Sequence, residues 1–460
     1  MSLPTKETPK IGLITAICII AANMIGTGVF TSLGFQVLGI QSVSALLLLW
    51  VAGGVVAICG ALTYAELAVS MPRSGGEYRY LSNLYHPALG FLSGWVSATL
   101  GFAGPVAIAS MAFGEYFSNV IPNTDPTSFV SLLTPHSLAT LLLIIITIIN
   151  IASIKAGTGF QTVFTIINLS LIVIIVICGF VLSDHSHFHI SFAKQDFKQV
   201  FSSDFFVSLV YVSFAYSGWN SATYIAEEIN EPRKNLPRAL FLGSLIVMVL
   251  YLLLNFIFLY STPIPQLSGQ LQVAFIAAQN IFGKEGALII AAIISIGLIA
   301  SVNSMMFTGP RVTRAIGEDF PLFRKLAHIN SKGSPVYAIL LQFVIALILI
   351  YISNPNDVMT YLGFTLSLFT TLTVIGVFID RYKHKNLFFG SEPISTRSIV
   401  KMIVKNVIPL LFVGFEVGMM YFLIDKKPIP SIAGFLSILT GLIVYVFINK
   451  NKNKSENKSN

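Results

Sequence analysis

The chain has 460 residues, of which 55% are hydrophobic and only 10% are charged. Soluble domains carry about 25% charged residues, so this composition excludes an ordinary water-soluble protein, and the mean hydropathy of +0.79 agrees. A net charge of +8 could indicate nucleic-acid binding. However, the Lys and Arg residues lie between apolar runs instead of forming a basic soluble face. The composition favours a membrane protein that contacts lipid and binds no nucleic acid.

Twelve apolar runs follow one another along the chain, separated by short polar segments. Most of them are long enough to cross a hydrocarbon layer of ~30 Å as a helix. The runs fall at 11–36, 42–71, 86–118, 137–154, 159–183, 205–230, 238–261, 285–316, 335–353, 357–380, 402–424 and 429–449. We therefore expect an all-α polytopic membrane protein with about twelve transmembrane helices.

The distribution of Lys and Arg supports this count. If the chain begins in the cytoplasm, 23 of the 28 Lys and Arg residues fall in cytoplasmic segments. Such a bias is typical of membrane proteins, and one missed helix would destroy it. We expect a multi-pass cell-membrane protein with both termini cytoplasmic. Segment 1–10 is then a cytoplasmic N-terminus, and 450–460, built from Lys, Asn, Ser and Glu, is predicted to be a disordered tail.

Two of the runs are interrupted near their middles by glycine. The first contains the residues Ala22–Phe30, and the sixth contains Phe214–Asn220. Gly26 and Ser217 lie roughly 21 and 18 Å from the starts of their runs at 1.5 Å per residue, which is close to the bilayer midplane. Unwound backbone is tolerated at that depth only against protein or a water-filled cavity. Paired interruptions of this kind indicate the substrate site of a transporter, although small residues also serve helix packing.

The direction of each half-helix predicts the chemistry at the breaks. The first run leads outward, so its outer half begins at the break and the N–H groups of 27–29 carry the positive end of the helix dipole. The sixth run leads inward, so its outer half ends at the break and leaves the carbonyls of Phe214, Ala215 and Ser217 free. A carboxylate site beside an ammonium site fits an α-amino acid.

Several motifs resemble those of the amino acid–polyamine–organocation (APC) transporters. They are Ile25–Phe30, Ala61–Leu67, Pro72–Tyr78, Phe214–Asn220 with Glu227, Glu228 and Pro232, and Gly309–Arg311 with Glu318 and Asp319. The resemblance implies a five-plus-five inverted-repeat (LeuT-like) fold for the transport core 11–380, with two further helices at 402–449. It also implies alternating access and an amino-acid or related amine substrate.

By position, the resemblance also implies a set of substrate-binding residues. These are Ile25, Gly26, Thr27, Gly28, Phe214, Ala215, Ser217, Gly218 and Asn220. Gly26, Thr27 and Gly28 would hold the carboxylate, whereas Phe214, Ala215 and Ser217 would hold the amine. Phe214 would also act as an aromatic gate.

One position departs from the family pattern. Many exchangers of this family carry a lysine on helix five, and the matching position here is Asn168 in the run Phe164–Leu169. The fixed charge is therefore missing, and either nothing replaces it or a sodium ion or a proton-linked group does. A sodium ion could use the carbonyls of Ala22 and Ile25 with the hydroxyls of Ser301 and Ser304. The coupling ion stays open.

Acidic residues within the runs are functional candidates. Four of them, Glu66, Glu115, Glu227 and Glu228, are interpreted as gates or structural ion pairs, and Glu416 has no assigned role. Glu115, near an outer helix end, could also serve a long basic side chain. Because the middles of the first, third, sixth, eighth and tenth helices carry no acid, neutral amino acids are favoured. A polyamine, organic amine or cationic amino-acid exchanger is the alternative, and a non-transporting amino-acid sensor is the alternative of another class.

Other functions find no support in the sequence. The histidines of 184–189 are interpreted as a solvated loop and not as a metal site, and Cys18, Cys59 and Cys178 lie in apolar runs and predict no disulfide framework. There is no nucleophile with a base, no paired acids at matching depth and no nucleotide-binding motif. We expect neither an enzyme nor a cofactor, and the sequence indicates no obligate protein partner.

Overall fold

The computed structural model describes residues 10–118, 120–121, 133–152, 154–183, 188–190, 193–270, 272–353, 355–383, 403–426 and 428–459. Segment 1–9 and the histidine-rich residues 184–187, for which a cytoplasmic N-terminus and a solvated loop are predicted, lie outside the described residues. We call the side of the bundle on which Lys10 lies the N-side, and the opposite side the far side.

The described residues form an all-α bundle, in agreement with the predicted fold class. Its α-helices are α1 Leu13–Met24, α2 Thr27–Gln36, α3 Val43–Ser70, α4 Glu77–Leu84, α5 Pro87–Val96, α6 Ala103–Ser118, α7 Pro135–Ala152, α8 Ile154–Leu182, α9 Lys194–Val200, α10 Ser203–Tyr216, α11 Pro232–Ser261, α12 Ile264–Leu267, α13 Val273–Asp319, α14 Val336–Ile352, α15 Pro355–Lys383, α16 Ile408–Lys426 and α17 Pro428–Ser459. Two 3-10 helices, Ser221–Glu228 and Pro321–Ala327, and two π-turns, Ser97–Gly101 and Ile403–Val407, complete them.

The membrane-crossing segments correspond to the predicted apolar runs. Ten helical segments of the described chain are long and apolar enough to cross a bilayer, and Val336–Ile352 is an eleventh, shorter apolar helix. The remaining run, the sixth, is divided between α10 and the 3-10 helix Ser221–Glu228, so neither part is long enough alone. Helix α13 is kinked at Gly283, where φ is +72°. The protein is therefore a multi-pass membrane protein.

The packing of the helices shows the inverted repeat. The first set of five spans is α1–α2, α3, α5–α6, α7 and α8; the second begins at α10 and continues with α11, α13, α14 and α15. Equivalent members pack on one another: α3 on α11, α6 on α13 and α7 on α14. Likewise the first span of each set packs on the fifth span of its own set and on the second span of the other set. These pairs are α1 with α8 and α11, and α10 with α15 and α3. Because each set has five spans, the second enters from the far side and is inverted.

Both interrupted runs are broken at their glycines. Helix α1 ends at Met24, and α2 begins at Thr27 after Gly26 with φ −122° and ψ −152°. Helix α10 ends at Tyr216, and Ser217 (ψ 151°) and Gly218 (φ +97°) leave the helical path. A positive φ strains any residue with a Cβ, so glycine is required at 218.

A short backbone bridge ties the N-side ends of the two broken spans together. The N–H of Ile11 donates to the carbonyl of Glu228 at 2.6 Å, and the N–H of Asn230 donates to the carbonyl of Ile11 at 2.9 Å. Ile11 and Ile229 thereby form one parallel β-bridge. We call this bridge the strap.

The two C-terminal spans pack outside the repeats. Helix α16 contacts α3, α10 and α15, and α17 contacts α5 and α15. Helix α17 continues to Ser459, whereas the sequence predicts a disordered tail from 450. Elongation of an existing helix needs no new nucleation, which explains why polar residues can continue a membrane helix.

Candidate substrate site at the two helix breaks

The two breaks meet in the middle of the bundle. A Cβ on Gly28 would lie 2.6 Å from the Cα of Ala215, and a Cβ on Gly218 would lie 2.8 Å from the carbonyl carbon of Asn23. Gly28 and Gly218 thus each lie against the backbone of the other broken span. The sequence places both breaks at mid-depth, and the fold brings them into contact.

The start of α2 offers unused hydrogen-bond donors. Within the described chain, no hydrogen bond uses the backbone N–H of residues 27–29, and no side chain caps this helix. Free N–H groups at a helix N-terminus, with the helix dipole behind them, attract anions. The N–H groups of this turn are thus unused, and the carboxylate site at the start of α2 stays a prediction.

The carbonyls at the end of α10 are less free than the sequence predicts. The N–H of Ser217 donates to the carbonyl of Phe214 at 3.0 Å, and the hydroxyl of Tyr251 lies 3.0 Å from the carbonyl oxygen of Ala215. The carbonyl of Ser217 accepts no hydrogen bond among the described residues. Since a carbonyl has two lone pairs, all three can still face an ammonium group, but only that of Ser217 is wholly unused.

Tyr251 of α11 is a site residue that no sequence motif indicates. Its hydroxyl lies 2.5 Å from the carbonyl oxygen of Met24, at the end of α1, as well as near that of Ala215. The phenol therefore bridges both broken helices, and it is fully buried. A buried tyrosine hydroxyl needs a partner, but the sequence of an apolar run does not show which partner.

Asn23 connects the first break to α13. Its amide donates to the carbonyl of Ile19 at 2.8 Å and to the hydroxyl of Ser304 at 2.5 Å, and its carbonyl accepts from Thr308 at 3.3 Å. Ser304 in turn donates to the carbonyl of Ile19 at 3.1 Å. This network fixes the last turn of α1 against the centre of α13.

The predicted ion-site residues are only partly available. Ser304 is occupied by Asn23 and Ile19. The hydroxyl of Ser301 is buried without a partner among the described residues and lies 3.2 Å from where a Cβ on Gly26 would be. Asn168 is buried on α8 against α13, since a Cβ on Gly297 would lie 2.5 Å from its side-chain oxygen. No group of three or more His, Cys, Asp or Glu residues in the described part of the chain is placed to hold a metal ion.

Three cavities lie along the path through the bundle. The central one, of about 20 Å³, is lined by both breaks, including Gly26, Thr27, Gly28, Phe214, Ala215 and Ser217, with Ser301 and Met305. A second, of about 80 Å³, extends from Asn23, Ser217, Gly218 and Asn220 to Glu77 on the N-side and to Glu416 of α16. A third, of about 390 Å³, extends from Thr27 and Thr31 to Glu115 and His136 on the far side. A water needs about 10–15 Å³, so the central cavity admits a larger solute only if its walls move.

Phe214 lines two of the cavities, and its role as a gate stays a prediction. Its ring lines both the central cavity and the N-side cavity, and it packs with Ile108, Met359 and Leu362. Ile25, by contrast, belongs to the buried apolar core.

Glu77 lies buried on the N-side of the site, a position that its motif alone does not reveal. It begins α4 and is 4% exposed. The carboxylate accepts from Tyr64 at 2.9 Å and from Asn220 and Tyr224. Burial raises the pKa of the Glu77 carboxyl, while the hydrogen bonds from Tyr224, Tyr64 and Asn220 lower it. Gly76 has a φ of +52°, and a Cβ added at this position would overlap the ring of Tyr224.

Ion pairs tie the N-side ends of the helices to one another. Arg79 lies 2.5 Å from Asp319 and 3.3 Å from Glu318, and Arg311 lies 3.0 Å from Glu228. Arg381 holds Glu66 through two hydrogen bonds, at 2.8 and 2.7 Å. Glu66 and Glu228 are thus ion-pair residues, as predicted. Arg311 and Arg381 are each 4% exposed, and buried pairs of this kind are costly to break.

A chain of amides joins α7, α8 and α13 beside the site. Asn150 donates to Asn303 at 2.8 Å, Asn303 donates to Gln161 at 2.7 Å, and Gln161 donates to Thr165 at 2.7 Å. All four residues are buried. The sequence gives no signal for them, because isolated amides in apolar runs have no motif.

Two inverted five-helix repeats with broken helices meeting at a central cavity define a membrane transporter, not an enzyme. The chain belongs to the amino acid permease family, whose profile matches residues 11–450. It is 30% identical to the large neutral amino acids transporter small subunit 2 of Mus musculus, over 95% of this chain and 80% of that protein. It is also 30% identical to the b(0,+)-type amino acid transporter 1 of Rattus norvegicus, over 96% and 88% of the two chains. Identity to the Asc-type amino acid transporter 1 of Mus musculus is 27%, over 95% and 80%. The resemblance to the APC transporters is confirmed, and the protein is an amino-acid transporter.

Proposed function

We propose that the protein is a secondary active transporter that moves neutral amino acids across the cell membrane by alternating access. The α-carboxylate binds the N–H groups at the start of α2, and the α-amine binds the carbonyls at the end of α10. The single observation that carries the proposal is the contact of two opposed helix termini at one small cavity. The names of the relatives support an amino-acid substrate.

The cavities support an alternating mechanism. The far-side cavity is the largest of the three, whereas the N-side is closed by Glu77 and by the ion pairs of Arg79, Arg311 and Arg381. Transport to the N-side requires these contacts to break after the far side has closed. With the excess of Lys and Arg on the N-side, the positive-inside rule makes that side cytoplasmic.

The proposal is tested with purified protein in liposomes. A thermal-shift screen of all amino acids should identify ligands, because a ligand that binds only the folded state raises stability by RT ln(1 + [L]/Kd). Decarboxylated and deaminated analogues of each hit should give no shift, since each lacks one of the two charges. Counterflow of the labelled hit then separates a transporter from a sensor, which binds without exchange. A screen without any amino-acid ligand would contradict the proposal, and a shift with polyamines alone would favour the amine alternative.

Replacing Tyr251 with phenylalanine should slow exchange. The change removes the hydroxyl that lies between the carbonyls of Met24 and Ala215, and a hydrogen bond of this kind contributes about 1 kcal/mol. We expect counterflow to fall about fivefold to tenfold, with the protein still inserted in the membrane. Tyr421→Phe, at an exposed position on α16, is the matched control. Equal rates of counterflow for both variants would mean that the Tyr251 hydroxyl does not contribute to the site.

Replacement of sodium by choline should leave uptake unchanged. Of the predicted oxygen ligands, Ser304 is already bonded to Asn23 and to the carbonyl of Ile19. The carbonyls of Ala22 and Ile25 with Ser301 form an incomplete set for a cation. Uptake of labelled amino acid into liposomes, with sodium or choline as the only external cation, measures this. A fall of about tenfold or more in choline would restore the sodium hypothesis.

A further inference from the structure

Glu416 is an acidic side chain that the proposed substrate site does not use. It lies on α16, outside the two repeats, eight residues beyond Ile408 and ten before Lys426. At 1.5 Å per residue these separations are roughly 12 and 15 Å, so the carboxyl lies near mid-depth. It is 4% exposed. An ionisable residue at this depth is a functional candidate.

The surroundings of Glu416 leave one of its oxygens without a partner. Ser367 of α15 provides a hydrogen bond, whereas Oε2 has no partner in the described structure. No Lys, Arg or His among the described residues forms an ion pair with this carboxylate. An ionised carboxylate buried with one donor and no cation is costly, so these surroundings favour the neutral acid.

Several other ionisable groups on the elements packed against α16 have contacts of their own. On α3, Tyr64 donates to Glu77, and Glu66 pairs with Arg381 of α15. On α10, Tyr211 stacks on Phe35 and Tyr216 lies tilted against Trp50. On α15, Lys383 donates to the carbonyl of Leu84, and on α17, Tyr445 lies tilted against Phe91. Lys405 of the π-turn is exposed. The same elements also carry Asp204, Asp357, Tyr361 and Asp380. In the shared cavity the remaining ionisable groups are Glu77 and Tyr224, which bond to each other.

Glu416 lies in the same cavity as the second helix break. Phe412, one turn earlier on α16, has its ring centroid 5.9 Å from that of Trp219, the residue that follows Gly218. The cavity of about 80 Å³ lined by Glu416 also reaches Asn23, Ser217 and Asn220. At 10–15 Å³ per water, several waters fit between the break and the carboxyl. A movement of the break therefore changes the access of water to Glu416.

We propose that Glu416 is the protonation site that couples amino-acid movement to a proton gradient, resting on the function proposed above. Its carboxylate takes a proton from a hydronium ion that arrives through water from the far side, which leaves a neutral acid and a water molecule. After the N-side opens, the acid returns that proton to N-side water and becomes a carboxylate again. Asn168 carries no charge, so the charge that changes during the cycle is supplied from α16 instead of α8.

The test uses the full-length protein in liposomes, with labelled alanine, leucine and arginine as substrates. One unit of pH corresponds to about a tenfold concentration ratio for one proton per substrate. We expect an acidic far side to raise accumulation of a neutral amino acid by up to about tenfold per pH unit. In Glu416→Gln the gradient should have no effect, whereas counterflow at equal pH should stay within about twofold. Glu285→Gln, at an exposed far-side position, should behave like the parent protein.

Two further measurements keep the result decisive if Glu416→Gln fails to fold. A pH-sensitive dye trapped in liposomes of the parent protein should report proton entry when substrate enters. Glu416→Asp should retain gradient-driven accumulation. The proposal is overturned if Glu416→Gln still accumulates substrate in response to the gradient, if the dye reports no proton movement, or if the variant loses only arginine transport. Absence of counterflow in the parent protein would instead contradict the proposed function.

Discussion

Replacing Gly28 with alanine is expected to reduce transport at least about a hundredfold. The added Cβ would lie 2.6 Å from the Cα of Ala215 and 2.7 Å from its Cβ. Both atoms belong to Ala215, next to the end of α10. The two helix breaks must move apart to remove the overlap. A misplacement of about 1 Å in a site can cost about 10² in rate. Counterflow in liposomes measures the loss.

The control for this variant is a glycine with free space around it. A Cβ added to Gly414 of α16 would meet no atom of the described chain within 4 Å, so Gly414→Ala should leave counterflow unchanged. Membrane insertion and thermal stability of both variants are compared first, because overpacking can cost about 1–3 kcal/mol. Full activity of a well-folded Gly28→Ala protein would mean that the contact of the breaks is not needed for transport.

Replacing Glu77 with alanine is expected to open the N-side. The change leaves the neutral donors Tyr64, Asn220 and Tyr224 without their common acceptor, and buried donors left without a partner cost about 1–3 kcal/mol. Because each 1.4 kcal/mol is a factor of ten, the closed form should lose about tenfold to a hundredfold in relative population. The proposed mechanism places this network in the closed form alone, so the cost falls on that form.

Opening is measured with a cysteine introduced at Ser93, which is buried and lines the N-side cavity. Its reaction with a maleimide, followed by mass spectrometry of the labelled peptide, should accelerate strongly in the Glu77→Ala background. Glu285→Ala, which removes an exposed acid, should not change the rate. If labelling of the Ser93→Cys protein is as slow with alanine at 77 as with glutamate, Glu77 does not hold the N-side closed.

The features that sequence can predict are those with a local cause. The break at Gly26 and Gly28 and the break at Gly218 follow from glycine within an apolar run, and the helix count follows from hydropathy and from the distribution of Lys and Arg. The donors at the start of α2 are also local, because every helix leaves its first N–H groups unused. These predictions require no knowledge of the neighbouring helices.

The features that sequence cannot predict depend on distant partners. The carbonyl of Ala215 is near the hydroxyl of Tyr251, a residue on another span, so it is less free than the end of α10 alone predicts. Glu77 belongs to a recognised motif, yet its burial depends on contacts with Asn220 and Tyr224, beyond the second break. Glu416 has no motif, because only the packing of α16 against α10 and α15 brings it to the cavity.

The strap between Ile11 and Ile229 has a mechanical consequence for the transport cycle. Its two hydrogen bonds, of 2.6 and 2.9 Å, join the N-side ends of α1 and of the 3-10 helix that follows α10, although about 220 residues of chain separate them. Any rotation of the inner half-helix about one glycine break must then be accompanied by rotation about the other. The two inner half-helices should therefore move together as one rigid unit that rotates about both glycine breaks. A distance between spectroscopic labels on the two half-helices should stay constant while both move relative to α3 and α13.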